Sequence, residues 1–272
     1  MTRAIILFVV FVFLLGNTGF GQGGYFGQNK TRNRVNDFKV LQSSHFDLYY
    51  YLDNKQLADE LLRNSEHWYK NHQEVFKMAF VTPNPLIVYK SHPDFRETTV
   101  VGGSIGEGTG GVTVGFKTRV VMPLFFTKKQ TDHVLGHELV HVFQYQTMTF
   151  GSDSTNIQNM ANIPLFMTEG LAEYLSLGRN DPNTSAFWAY VTGLYGDEII
   201  RPLYKQVAIY GIQQAFINIF KMDLDSFSAR FKNDLKQYYS HFENSKVKEV
   251  QGRIIASGST GSEINIAPSI SP

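Results

Sequence analysis

His137-Glu138-Leu139-Val140-His141 and, further along, Thr168-Glu169-Gly170-Leu171-Ala172-Glu173-Tyr174 are the stretches whose reading decides this chain. Val134, Leu135, Leu139, Val140, Val142 and Phe143 give the first stretch an apolar surround, and residues 131–147 read as a helix begun by the capping types Thr131 and Asp132. Positions four apart on a helix project from one face, so His137 and His141 can reach a single metal ion. Glu138, one residue round the helix, can hold a water on that metal without taking a coordination position. Zinc suits such a site, because three protein ligands leave one position open and bound water loses a proton near neutral pH. Glu138 would take that proton as water attacks a carbonyl and deliver it to the leaving amine.

The third ligand is sought downstream. A metzincin continuation needs Gly at 144 and His at 147, where this chain has Gln144 and Thr147. Glu169 and Glu173, themselves four apart, lie on a second helical pattern among Phe166, Met167, Leu171, Ala172, Tyr174 and Leu175. Carboxylates on a largely apolar helix need a partner or a metal. Glu169 is the expected ligand, and Glu173 the expected acceptor for the free ring N–H of a ligand histidine.

Upstream, residues 46–52 and 86–89 read as strands, with an amphipathic helix over 54–79 between them, and a further strand is expected at 119–122. Downstream, helical patterns run over 163–177, 187–195, 210–220 and 224–242. Strands first and helices after indicate an α+β domain. The segment Gly106-Glu107-Gly108-Thr109-Gly110-Gly111 contains G-x-G-x-x-G, but Val112-Thr113-Val114 after it is a strand pattern, and a dinucleotide site needs a helix there. A loop or edge strand beside the cleft, able to hold an extended peptide by main-chain hydrogen bonds, is expected instead. His133 falls at the start of the expected metal helix and is read as solvent-exposed. His45, His67, His72, His92 and His241 have no metal-binding spacing and read as structural or surface residues.

Composition narrows the field. Twenty-five basic against 24 acidic residues, a net charge of +1, give no electrostatic footprint for nucleic acid. Arg3, the apolar run 5–15 and the small, polar residues after it have the layout of a secretory signal peptide, which places the chain in the periplasm, at the cell envelope or outside the cell, with no membrane span in its mature form. There is no Cys, so stability in an oxidising space must come from the core and the metal. The expected organisation is a signal peptide over 1–22, one domain over 23–245, and a Gly-, Ser- and Pro-containing linker over 246–272.

His137-Glu138-Leu139-Val140-His141, followed by Phe166-Met167-Thr168-Glu169-Gly170-Leu171-Ala172-Glu173-Tyr174, resembles the gluzincin zinc metallopeptidases, and more closely the bacterial peptidase-MA-like proteins. The resemblance implies a zincin-like fold, a twisted sheet on an active-site helix with a helical C-terminal subdomain. It implies Zn²⁺ on His137, His141 and Glu169, with Glu138 as general base, Glu173 behind the ligands, and a peptide or protein as substrate. Tyr210, in Tyr210-Gly211-Ile212-Gln213-Gln214-Ala215-Phe216, resembles the later Tyr motif that stabilises the oxyanion, although Gln214 stands where that motif has Gly; Tyr204 competes. The opening of the mature chain resembles exported Bacteroidetes-type proteins in which such a domain precedes a β-propeller, and Ala267-Pro268-Ser269-Ile270-Ser271-Pro272 resembles the start of a propeller repeat. The alternative function is a catalytically silent exported domain that acts as a binding or scaffold module.

Overall fold

The computed structural model describes residues 36–101, 105–115, 119–149 and 157–243; the expected signal peptide and the 246–272 linker lie outside them. The described chain is α+β, with five strands preceding most of its helices. Strands β1 (Lys39–Gln42), β2 (Phe46–Tyr50), β3 (Asn84–Tyr89), β4 (Val112–Val114) and β5 (Arg119–Pro123) form one mixed sheet in the order β1-β2-β3-β5-β4. β2, β3 and β5 run parallel, and the two edge strands are antiparallel to their neighbours. In β2, Phe46, Leu48 and Tyr50 are buried and alternate with half-buried residues. In β5, Val120, Val121 and Met122 are all fully buried, as expected of a strand covered on both faces.

Helix α1 (Lys55–Phe76) is capped by Asn54, whose side-chain oxygen accepts from Gln56 N at 2.9 Å. A short helix α2 (His92–Arg96), not expected from the sequence, follows β3. Helix α3 (Lys128–Thr149) carries the first motif and is longer than expected. Its first turn is closed by Thr127, whose Oγ1 accepts from Gln130 N at 3.1 Å, not by Thr131 or Asp132. Thr131 is buried inside the helix, where its Oγ1 accepts from Phe125 N. Lys128 and Lys129, unfavourable to a helix dipole at that end, hide this start from a sequence reading.

Two stripes on α3 do different work. Asp132 and Gly136 face α1, where Asn64, Trp68 and His72 recur every four residues. Asn64 Nδ2 and Trp68 Nε1 both donate to Asp132 Oδ1, at 2.9 and 3.2 Å, and His72 Nε2 donates to Gly136 O at 3.0 Å. Gly136 is required by close approach, since a Cβ there would lie 2.7 Å from the Trp68 ring. Next along, Phe143 sits among Tyr69, Phe76 and Phe80. The adjacent stripe, His133, His137, His141 and Tyr145, one residue further round the helix, lines the cleft.

Helices α4 (Leu165–Leu177), α5 (Ala186–Tyr195) and α6 (Ile200–Phe220) follow. α6 is broken at Gly211, whose φ of 76° is left-handed. That break is why only residues 210–220 read as helical from the sequence. Helix α7 (Leu224–Glu243) matches the last expected pattern closely. The chain divides into two compact units at Leu224/Asp225.

His72 is buried, and burial, opposed by its bond to the Gly136 carbonyl, pushes its pKa from 6.5 down to about 4. Unfolding restores the ordinary value, so between those limits the unfolded chain binds more protons, and stability falls as pH falls from 6.5 towards 4. The expected loss from this one group is on the order of 3 kcal/mol. Denaturant melts across that range should show a shallower acid slope in His72→Gln than in the wild type; equal slopes would contradict the assignment.

Candidate metal centre

His137 Nε2 and His141 Nε2 lie 3.2 Å apart, and Glu169 Oε2 from α4 lies 3.3 Å from the first and 3.5 Å from the second. Three ligands on one tetrahedral ion, at bonds of about 2.0–2.1 Å, are separated by about 3.3–3.4 Å. The three atoms therefore already form one face of such a coordination shell.

The hydrogen bonds behind them assign the ring tautomers. Gln144 Nε2 donates to the Thr168 carbonyl at 3.0 Å, which turns Gln144 Oε1 towards His141 Nδ1 at 2.8 Å. That oxygen can only accept, so the His141 proton sits on Nδ1 and the lone pair on Nε2. His137 Nδ1 faces Glu173 Oε1 at 3.1 Å, with the same consequence. Two imidazole lone pairs and a carboxylate oxygen thus converge without a proton of their own between them. Such a cluster of acceptors calls for a cation.

Protons compete for it. The bonds from His137 and then His141 hold Glu169 well below the usual carboxylate range. For His141, burial lowers the pKa, but the contact with Glu169 and the charge of Glu138 outweigh burial and raise it. Metal binding must displace this positive charge, so it strengthens as pH rises.

Glu138 is buried at the wall of the cleft, and its position depends on the edge strand. Thr113 Oγ1 donates to Glu138 Oε2 at 2.6 Å and also lies 2.9 Å from the Glu138 carbonyl. Gly111 leaves room for the carboxylate, since a Cβ at 111 would come within 2.8 Å of Oε1. One carboxylate oxygen is held from the strand side, and the residue borders a cleft of about 500 Å³. The cleft is lined by the Gly108–Thr113 segment, His133, Tyr145 and Thr168 together with the cluster. β4 follows the glycine-rich loop as a strand, in agreement with the rejection of a dinucleotide site.

α4 is set in depth by α5. The Trp188 indole, fully buried, donates to the Met167 carbonyl at 2.9 Å, two residues before Glu169. Gly170 admits Ser185, whose Oγ would lie 2.7 Å from a Cβ there.

The structure thus brings together His137, Glu138, His141, Glu169 and Glu173. It does not bring Tyr210 to them: Tyr210 is 55% exposed, next to the break in α6, and does not line the cleft. Tyr204 is fully buried, its hydroxyl 3.8 Å from Met160 Sδ. His133, expected in solvent, lines the cleft with its Nε2 3.3 Å from Glu173 Oε2, because α3 begins before it. With His137 and Glu173 it forms a second group able to hold a metal, one that shares two members with the first centre and its support. Gln144, Thr113 and Tyr145 were not singled out by the sequence; the only advance signal was that Gln144 and Tyr145 share the helix of the motif. No protein family, curated protein or solved structure matches the chain.

Removing the support while keeping the ligands should weaken the metal without abolishing it. Gln144→Leu is expected to lower zinc affinity about 10–100-fold, and Glu169→Ala to lose stoichiometric zinc. In both, competition with a chelator should show weaker binding at about pH 6 than at about pH 8. A Gln144→Leu chain that binds zinc as tightly as the wild type would remove Gln144 from the site.

Proposed function

We propose that this chain is a zinc-dependent peptidase of gluzincin type, with a zincin-like domain, exported by its N-terminal segment. The observation that carries the proposal is the triangle of His137 Nε2, His141 Nε2 and Glu169 Oε2, with edges of 3.2, 3.3 and 3.5 Å, beside a buried carboxylate that is not one of its corners. Nitrogen and oxygen donors in this number and spacing suit zinc with one position open to water, and zinc so held acts as a Lewis acid and brings the pKa of water to about 7.

The chain's own residues do the rest. Glu173 and Gln144 hold the two rings in the tautomer that presents Nε2. Glu138 takes a proton from the water that adds to the carbonyl carbon and passes it to the amine nitrogen as the C–N bond breaks. Thr113 holds Oε2 of that carboxylate, which leaves Oε1 to receive the proton. Among the described strands β4 pairs only with β5, and a free edge there fits a substrate bound by main-chain hydrogen bonds.

A structural zinc site is less consistent with this arrangement, since such sites close all four positions with protein ligands. Among the described residues no helix is long and apolar enough to cross a membrane.

Glu138→Gln should retain one zinc per chain and the wild-type fold while peptide hydrolysis falls by three orders of magnitude or more, measured on a mixed peptide library by mass spectrometry. Zinc-dependent cleavage that persists in Glu138→Gln would refute the mechanism. A zinc-loaded wild type that cleaves nothing would leave the silent module as the function.

A further inference from the structure

The cleft contains a phenol that the chemistry above does not use. Tyr145 follows His141 by one helical step of four residues and His137 by two, so it lies on the same stripe of α3. Side chains on a helix lean towards its N-terminus, which brings the Tyr145 ring back over the turn that carries His141. Tyr145 lines the cleft together with Glu138, Glu169 and Thr168. Its ring lies against the backbone of the edge strand's end, where a Cβ on Gly115 would come 2.5 Å from the ring carbon Cε1.

Thr113 is bonded to Glu138, and His133 is paired with Glu173. The Tyr145 hydroxyl has no hydrogen-bond partner among the described residues. Burial, and then the charges of Glu169 and Glu138, push its pKa above the ordinary phenol value, so it keeps its proton. The side chain is a hydrogen-bond donor held between α3 and Gly115, just past β4, and it lines the cleft beside the metal cluster.

We infer that Tyr145 is a catalytic residue whose O–H donates a hydrogen bond to the carbonyl oxygen of the scissile bond as that oxygen becomes negatively charged. The role rests on the peptidase reading above. In the step it serves, the water oxygen bonds to the carbonyl carbon, the π pair moves onto the carbonyl oxygen, and the water's proton goes to Glu138. Tyr145 keeps its own proton throughout. When the pair returns, the C–N bond breaks and the amine leaves with the proton that Glu138 held. A donor aimed at the developing charge acts on the transition state more than on the bound substrate, so its loss appears in kcat and not in KM.

The test compares wild type, Tyr145→Phe and a chain with 3,5-difluorotyrosine at position 145, which keeps the ring's shape and ionises at lower pH. In Tyr145→Phe, kcat should fall about 10²–10³-fold, with KM within about threefold and zinc content unchanged. Calorimetry with a phosphinic peptide, a tetrahedral mimic that is not cleaved, should show affinity at least tenfold weaker than in the wild type. In the difluorotyrosine chain the alkaline limb of kcat should move to lower pH. Unchanged kcat and unchanged phosphinic-peptide affinity in Tyr145→Phe, or an unmoved alkaline limb, would overturn the role of Tyr145 and leave the peptidase reading standing. A zinc-loaded wild type that neither cleaves peptides nor binds the phosphinic peptide would overturn both.

Discussion

The register between α3 and α4 is the constraint on which the rest of the centre depends. His137 and His141 are placed by one helix, and helical geometry alone guarantees that they share a face. Glu169 comes from another helix, and its oxygen must arrive within a few tenths of an ångström to complete the triangle. The link that sets this register is the Gln144 amide, fully buried, which bonds the Thr168 carbonyl with its nitrogen and His141 with its oxygen. One side chain thereby spaces the two helices and orients a ligand ring. An apolar residue at 144 would leave His141 Nδ1 and the Thr168 carbonyl without this partner in a buried place, at a cost of about 1–3 kcal/mol for each unsatisfied group.

The same helix could not present a polar stripe to a cleft unless something else held it firmly. That support lies on the adjacent stripe, where the Asn64, Trp68 and His72 ladder of α1 meets Asp132 and Gly136. Aromatic stacking of Trp68 on His72, 5.4 Å between centroids, and the bond from His72 to Gly136 fix α3 just before His137. The contact needs a residue without a side chain at 136, so Gly136 trades helix propensity for proximity. Trp188 plays the corresponding part beneath α4. The candidate centre is thus a meeting of two helices, each fastened by a tryptophan from a neighbouring helix.

How much of this was legible in the sequence follows from how local each relation is. The pairs His137/His141 and Glu169/Glu173 are relations of i and i+4 within single helices, and residue type carries their chemistry, so the sequence alone groups them. The strands β2, β3 and β5 were legible as apolar runs of strand-forming residues. Thr113 and Gln144 were not, because a threonine or glutamine has no distinctive chemistry until a neighbour from another element is known. β1 and α2 were missed because Lys39–Gln42 is a short, mostly exposed edge strand and His92–Arg96 is little more than one turn. Tyr210 was selected by the residues around it. Its exposure is set by Gly211, where the chain leaves helical geometry, and the direction taken after such a break is fixed by packing that a linear pattern does not contain.

The electrostatic arrangement sets a direction for the chemistry. Glu138, Glu169 and Glu173 all border one cleft, a concentration of negative charge. Held apart from a cation these carboxylates repel one another, and each finds its own partner: Glu138 a threonine hydroxyl, Glu173 two histidines, Glu169 the ligand nitrogens. A divalent ion at the triangle compensates Glu169 first, since that oxygen is a corner. Glu173 acts through the His137 ring, whose orientation it fixes from the Nδ1 side. Glu138 is excluded from the triangle by its place on the helix and is tied at Oε2 to the edge strand, while the residue still lines the cleft. A place outside the triangle suits the proposed base, which needs an oxygen not shared with a metal.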